Sequence, residues 1–223
     1  MFVAAVAGKP GTYRFHHLFR DLLRYRLRAA DADAEASLLR AAARWYAAQG
    51  EIAKGVEALL AGRHWDEAID LILSRGREVY ESGQTATVAR WLGTVPNDHR
   101  AGRPDAQLTY AILQGMSGEA VSAEAVVSEL LADPGLDQGI RLVAQSYFAG
   151  LVQFLPHPAV YLEGGRKALE MLAAHPGDVP DLLNLTDPVK LETFARASVG
   201  RAHLLMGDTA AARKELRRLL ESK

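Results

Sequence analysis

From His17 onward the apolar positions Leu18, Phe19, Leu22, Leu23, Tyr25 and Leu27 recur at helical spacing, while Arg20, Arg24 and Arg28 fall on another face. The pattern predicts a helix with one dry side and one cationic side. The following DADAEAS segment places acidic residues in the first turn of a second helix, where they favour its dipole. Leu38, Leu39, Ala42, Trp45 and Tyr46 are expected to continue its buried face, and Gln49 and Gly50 to stop it. A third helix is predicted over about residues 51 to 61, ending near Gly62, and a fourth starts at Trp65 in HWDEAIDLILSRGREVY. Small side chains at Ala43, Ala47, Ala58 and Ala68 allow close helix approach, as stacked helical hairpins require.

Ahead of this region, FVAAVA and TYRFH flank GKPG, so Phe2 to Phe15 reads as a β-hairpin. Because an isolated hairpin is only marginally stable, it is expected to pack on the next helix or on a preceding domain. Further along, GQTATVARWLGTVP opens another helical piece, NDHRAGRPD reads as a polar connection, and Pro104 suits the first turn of a helix containing Leu108, Tyr110, Ala111 and Leu113. Gly118 and Gly207 each precede an alanine-rich helix. Pro156 and Pro158 divide another helix pair. The stretch Pro176 to Pro188 is weakly helical, and the pattern leaves open whether it is a mobile loop or a boundary. These units recur without the fixed spacing of about 34 residues that regular tetratricopeptide repeats show. The last helix lacks a glycine stop, so the array is expected to continue past Lys223.

Alanine, leucine and arginine dominate, and β-branched runs are almost confined to the first residues, which favours an all-α fold. The chain of 223 residues carries 26 basic and 27 acidic side chains, so no global field recruits nucleic acid or membrane. It has no cysteine, which excludes disulfides, thiol nucleophiles and cysteine-containing zinc sites. No apolar run approaches the roughly 20 residues needed to span a bilayer, and MFVAAVAGKPG is too short and lacks the basic region of a secretory signal. A cytoplasmic location is expected, with no membrane partner.

The combination of YRFHHLFRDLLRYRL, Tyr13 to Leu27, with RAAARWYAAQGEIAKGVEALLAGRHWDEAIDLI, Arg40 to Ile72, resembles a region of the MalT-like regulators of the STAND NTPase class, usually LuxR-type transcription activators. In those proteins the end of a winged helix is followed by a tetratricopeptide-like array, and Trp91, Leu92 and Pro96 match a later piece of it. The resemblance implies residues 1–30 as the end of a winged-helix element and 31–223 as a tetratricopeptide-like helical-hairpin array, or superhelix. It also implies a non-catalytic sensor or interaction segment that binds an effector or partner and biases an NTPase switch outside this chain. Similar arrays are attached to bacterial serine/threonine kinases, and a free-standing protein-binding adaptor is the other alternative. The implied partners are proteins, namely flanking NTPase and output domains and others, with a small-molecule effector as a further candidate. The family's phosphate-binding loop and helix-turn-helix are both missing from the chain.

Candidate chemistry is sparse. His16 and His17 are adjacent, so on regular structure they point apart, and a role at the hairpin-to-helix junction is preferred to metal binding. His64 beside Trp65 reads as a packing residue, and Asp66 with Glu67 as solvated charge, not an opposed acid-base pair. GKPGT, Gly8 to Thr12, has neither the spacing nor the following helix of a phosphate loop. Arg14, Arg20, Arg24, Arg26 and Arg28 could meet DNA phosphates, but Asp21 interrupts them and the acidic DADAE follows, so a solvated or interdomain face is preferred. Trp45, Tyr46, Trp65, Trp91, Tyr110, Tyr147, Phe148, Phe154 and Tyr161 are expected mainly to fill helix interfaces, with some facing a ligand-holding groove. No catalytic, cofactor or metal residue is assigned, no cofactor is expected in this chain, and the effector-binding residues stay unassigned.

Overall fold

A computed structural model of the protein describes residues 2–5, 13–174, 177 and 179–221. It is an all-α helical array with a short antiparallel hairpin at its N-terminal end, and it divides within one helix into two compact units, Met1–Ala68 and Ile69–Lys223.

In the first unit β1 (Val3–Ala5) pairs with β2 (Tyr13–Phe15), Val3 opposite Phe15 and Ala5 opposite Tyr13. The expected GKPG turn and Thr12 lie outside the described residues. The hairpin packs on α1 (His17–Ala30) through Phe19, whose ring centroid stands 4.7 Å from that of Phe2 and 5.6 Å from that of Phe15. Asp31 then caps α2 (Ala32–Ala48), its Oδ1 accepting the Ala34 N–H at 2.9 Å. α2 and α3 (Ile52–Ala61) form a helical hairpin whose core includes Leu39, Ala43, Ile52, Val56 and Leu59.

Two expectations fail in this unit. Leu38 and Trp45, expected on the buried face of α2, are both 60% exposed. They are seven residues apart and share a stripe about 100° round the helix from Leu39, the side that α3 covers. Likewise Leu18, Leu22, Leu23 and Tyr25 of α1 are exposed, because two three-residue strands offer too little surface to cover a helix of 14 residues.

The chain passes through α4 (Trp65–Arg75) into the second unit, where Ile69 and Ile72 are fully buried. The helix expected to begin at Trp65 does so and ends at Arg75, and after Gly76 α5 (Arg77–Glu81) starts afresh. α6 (Thr85–Thr94) buries Val88, Trp91 and Leu92. The polar stretch after it is not merely a connection, for it contains α7 (Asn97–Ala101) with a buried arginine, Arg100. α8 (Pro104–Met116) begins with proline as expected and pairs with α9 (Ala120–Ala132). α10 (Gln138–Gly150) runs into a 3-10 turn, Leu151–Gln153, before α11 (Pro158–Ala174), α12 (Pro188–Leu205) and α13 (Thr209–Glu221), each packed on the next.

The recurring glycines have a common cause. Gly118 and Gly207 adopt φ of 93° and 84°, and the next residue's N–H returns to a helix carbonyl, Glu119 to Gln114 at 3.0 Å and Asp208 to His203 at 2.9 Å. Such a left-handed stop closes the helix and reverses the chain at little steric cost.

Of the stretch from Pro176 to Pro188, Pro176 and Asp178 lie outside the described residues, and residues 179–188 pack into the second unit. Leu182 and Leu183 are buried, the Thr186 hydroxyl accepts the Leu182 N–H at 2.9 Å and donates to the Pro180 carbonyl, and the Asn184 amide donates to Glu81 at 2.9 Å. Leu183 and Asn184 both sit in the left-handed region, at φ of 55° and 63°. For leucine this conformation costs roughly 1–3 kcal/mol, which the burial of its side chain offsets.

Candidate functional site

Two places in the molecule have the surface chemistry of recognition. The first is the hairpin with α1. Leu18, Leu22 and Tyr25 follow one another at four- and three-residue steps, so they line one helix face, and Tyr25 is 71% exposed. Phe2, Tyr13 and Phe15 of the hairpin are exposed as well.

Polar residues on this unit are organised by short ion pairs. Arg28 grips Glu35 with two bonds, Nε to Oε2 at 2.6 Å and Nη2 to Oε1 at 2.9 Å. That guanidinium holds the Glu35 carboxyl below its ordinary range against the opposing effect of burial, with further help from the charge of Arg24. Arg20 pairs with Asp21 at 3.1 Å. Arg14, Arg24 and Arg26 are exposed. Glu67, expected to be merely solvated, meets Arg40 at 2.5 Å and Arg44 at 3.7 Å.

The histidines divide. His16 and His17 do not point apart, because His16 is extended (φ −56°, ψ 137°) while His17 opens α1, and their ring centroids are 4.3 Å from each other. Among the described residues they gather no third histidine or carboxylate into a metal-binding group. His64 is half-buried, and its Nε2 lies 2.8 Å from the Ala36 carbonyl, which ties the α3–α4 turn to α2.

The second place is a cleft of about 240 Å3 inside the second unit. Ile112 of α8, Val127 of α9 and Leu151 of the 3-10 turn form its walls, with Leu185 of the 181–187 connection and Phe194 of α12. It lies along the seam between a core cluster containing Ile112 and Val127 and another containing Ala123 and Leu151. Met116 and Phe154, both more than half exposed, stand on its rim. Among the described lining residues none is charged, and the polar side chains are those of Tyr147 and Gln153. Burial, and then the neighbouring Tyr80, push the Tyr147 phenol well above its ordinary value, so it stays neutral.

The aromatic residues sort accordingly. Trp91 and Tyr161 are core residues, the Tyr161 hydroxyl donating to Glu124 at 2.6 Å. Tyr46, Trp65, Tyr110, Tyr147 and Phe148 are half-buried, whereas Trp45 and Phe154 are exposed. Of the aromatics considered from sequence, Tyr147 and Phe154 reach the cleft. The aliphatic walls carried no signal of their own, since Ile112, Val127 and Leu151 look like ordinary core positions.

Residues 1–35 match the MalT winged helix domain. The match covers the hairpin, α1 and the cap of α2, so the resemblance read from Tyr13 to Leu27 is shown there. Over 111 residues the chain is also 27% identical to serine/threonine-protein kinase PknK of Mycobacterium tuberculosis (strain ATCC 25618 / H37Rv), and equally to PknK of Mycobacterium bovis (strain ATCC BAA-935 / AF2122/97). That alignment takes in 50% of this chain and 10% of each relative, so the chain spans only a small part of the curated proteins it matches. No solved structure matches it. Among the described residues no helix is long and apolar enough to cross a membrane.

Proposed function

We propose that this chain is a non-catalytic sensor and interaction segment of a larger, cytoplasmic MalT-like regulator, and that it biases an NTPase switch lying outside these residues. The observation that carries the reading is the MalT winged helix match over residues 1–35 coinciding with an exposed apolar face on α1. A face of leucine and tyrosine in water is the kind of surface that a partner domain covers. Bias of a switch follows when an effector or partner binds its two states with different affinities.

The similarity to PknK supports a second reading, in which the output is phosphorylation by a serine/threonine kinase domain. A free-standing adaptor is the remaining alternative. Direct DNA binding is not part of the proposal, since Arg20 and Arg28 are already engaged by Asp21 and Glu35.

The size of the product made in source cells tests the reading, through an immunoblot with an antibody to this chain. A band far heavier than 24.2 kDa is expected, and a band at that mass overturns the segment reading in favour of the adaptor.

A further inference from the structure

We infer that the cleft between α8, α9, α12 and the 3-10 turn is a binding site for a compact, uncharged, largely apolar small molecule. This rests on the proposed sensor role only for its consequence, since binding itself depends on the cleft alone.

Three features define the ligand. The volume of about 240 Å3 exceeds the roughly 150 Å3 at which an apolar protein cavity admits benzene, so one aromatic ring with a small substituent, or an aliphatic chain of similar bulk, fits. The described lining offers no charge to pair with an ionised ligand, and a charge brought in there would lose its hydration uncompensated. The polar side chains are the neutral phenol of Tyr147 and the amide of Gln153, which suit a single carbonyl or hydroxyl.

The walls explain why the cleft stays open. Gly115 of α8 has no side chain to project into it, and a Cβ there would be only in ordinary contact with Ala123, at 3.6 Å. On the opposite side Phe194 is held against Gly150, whose missing Cβ leaves room for the ring. Tyr147 packs against the same ring, tilted by 39° with the centroids 5.1 Å apart, fixing that wall. Leu185 is supplied by the connection that holds Leu183 and Asn184 in left-handed conformations, so one wall belongs to a strained segment pinned to α5 through Asn184 and Glu81. Strain of this sort is often kept where a chain must fit round a ligand. A ligand that touches Leu185 therefore contacts this left-handed segment directly.

The test uses the full 223-residue chain with methyl labelling, titrated with acetophenone as the neutral probe and benzoate as its charged counterpart of matched size. Acetophenone is expected to shift the methyl resonances of Ile112, Val127 and Leu151 saturably, and benzoate to bind at least about tenfold more weakly. Gly115→Leu, which fills the cleft, is expected to abolish the shifts. Phe154→Ala, at an exposed rim position that does not threaten folding, is expected to weaken them severalfold. Absence of shifts at millimolar acetophenone, equal binding of benzoate, or undiminished binding by a folded Gly115→Leu chain would overturn the site. Binding without any change in the output of the natural-length protein would leave the cleft standing and count against the sensor role.

Discussion

Arg28 and Glu35 close the corner between α1 and α2, the guanidinium forking onto both carboxylate oxygens at 2.6 and 2.9 Å across a connection of one residue. The pair gives a prediction about pH. Glu35 is held below its ordinary value of 4.5, so its contribution to stability is fully present above that value and is lost as pH falls through the lower folded value. Glu35→Gln is therefore expected to lower the urea midpoint at about pH 7, and the difference from the unaltered chain to vanish at about pH 2. A difference that persists in acid contradicts the assignment.

Gly150 and Phe194 make a second test. A Cβ at Gly150 would stand 2.2 Å from the Phe194 ring, far inside contact distance. Gly150→Ala is expected to destabilise by about 1–3 kcal/mol despite alanine's better helix propensity, measured by urea unfolding. Pairing it with Phe194→Leu should recover part of the loss, since the smaller side chain removes the clash.

Arg100 is a buried cation that closes the turn after α6. Its Nη1 donates to the Leu92 carbonyl at 2.7 Å and to the Val95 carbonyl, and its guanidinium lies 4.4 Å over the Tyr110 ring. Arg100→Ala strips both carbonyls of this donor and is expected to cost about 2–3 kcal/mol in thermal or urea unfolding. Lysine lacks the fork, so Arg100→Lys should recover only part of the loss.

Leu22 behaves oppositely. It is half exposed on α1, so Leu22→Asp should change the stability of the chain by no more than about 0.5 kcal/mol. In the natural-length protein the same substitution should loosen whatever covers α1, read as faster proteolysis of that helix.

Helix ends were the most legible part of this fold, because their chemistry is local. Pro104 starts a helix and Gly50 stops one, as the sequence implies, while Gly118 and Gly207, read from sequence as preceding alanine-rich helices, prove also to stop the helices before them. Trp91 and Leu92 in the core follow equally well from their apolar character. What periodicity could not supply was which apolar stripe has a neighbour. Leu18, Leu22, Leu38 and Trp45 share the spacing of core residues, yet they are exposed, whereas Leu39 and Ala43 meet α3. The left-handed Leu183 and Asn184 were illegible for a related reason, since only the tertiary burial of Leu182 and Leu183 forces leucine into that region. The cleft is similarly a product of packing. Its walls are largely ordinary aliphatic residues from elements far apart in sequence, and Tyr147 and Phe154 are the lining residues that the sequence had put forward as aromatics able to face a groove.

In the proposed function α1 presents a docking face that the rest of a larger regulator covers. Amide hydrogen exchange over His17–Ala30 tests it most directly, compared between this chain alone and the natural-length product of source cells. Marked slowing of exchange along α1 in the longer protein is predicted. Equal exchange in the two would contradict the account, because the leucine face would then be as open to water in the whole protein as it is here.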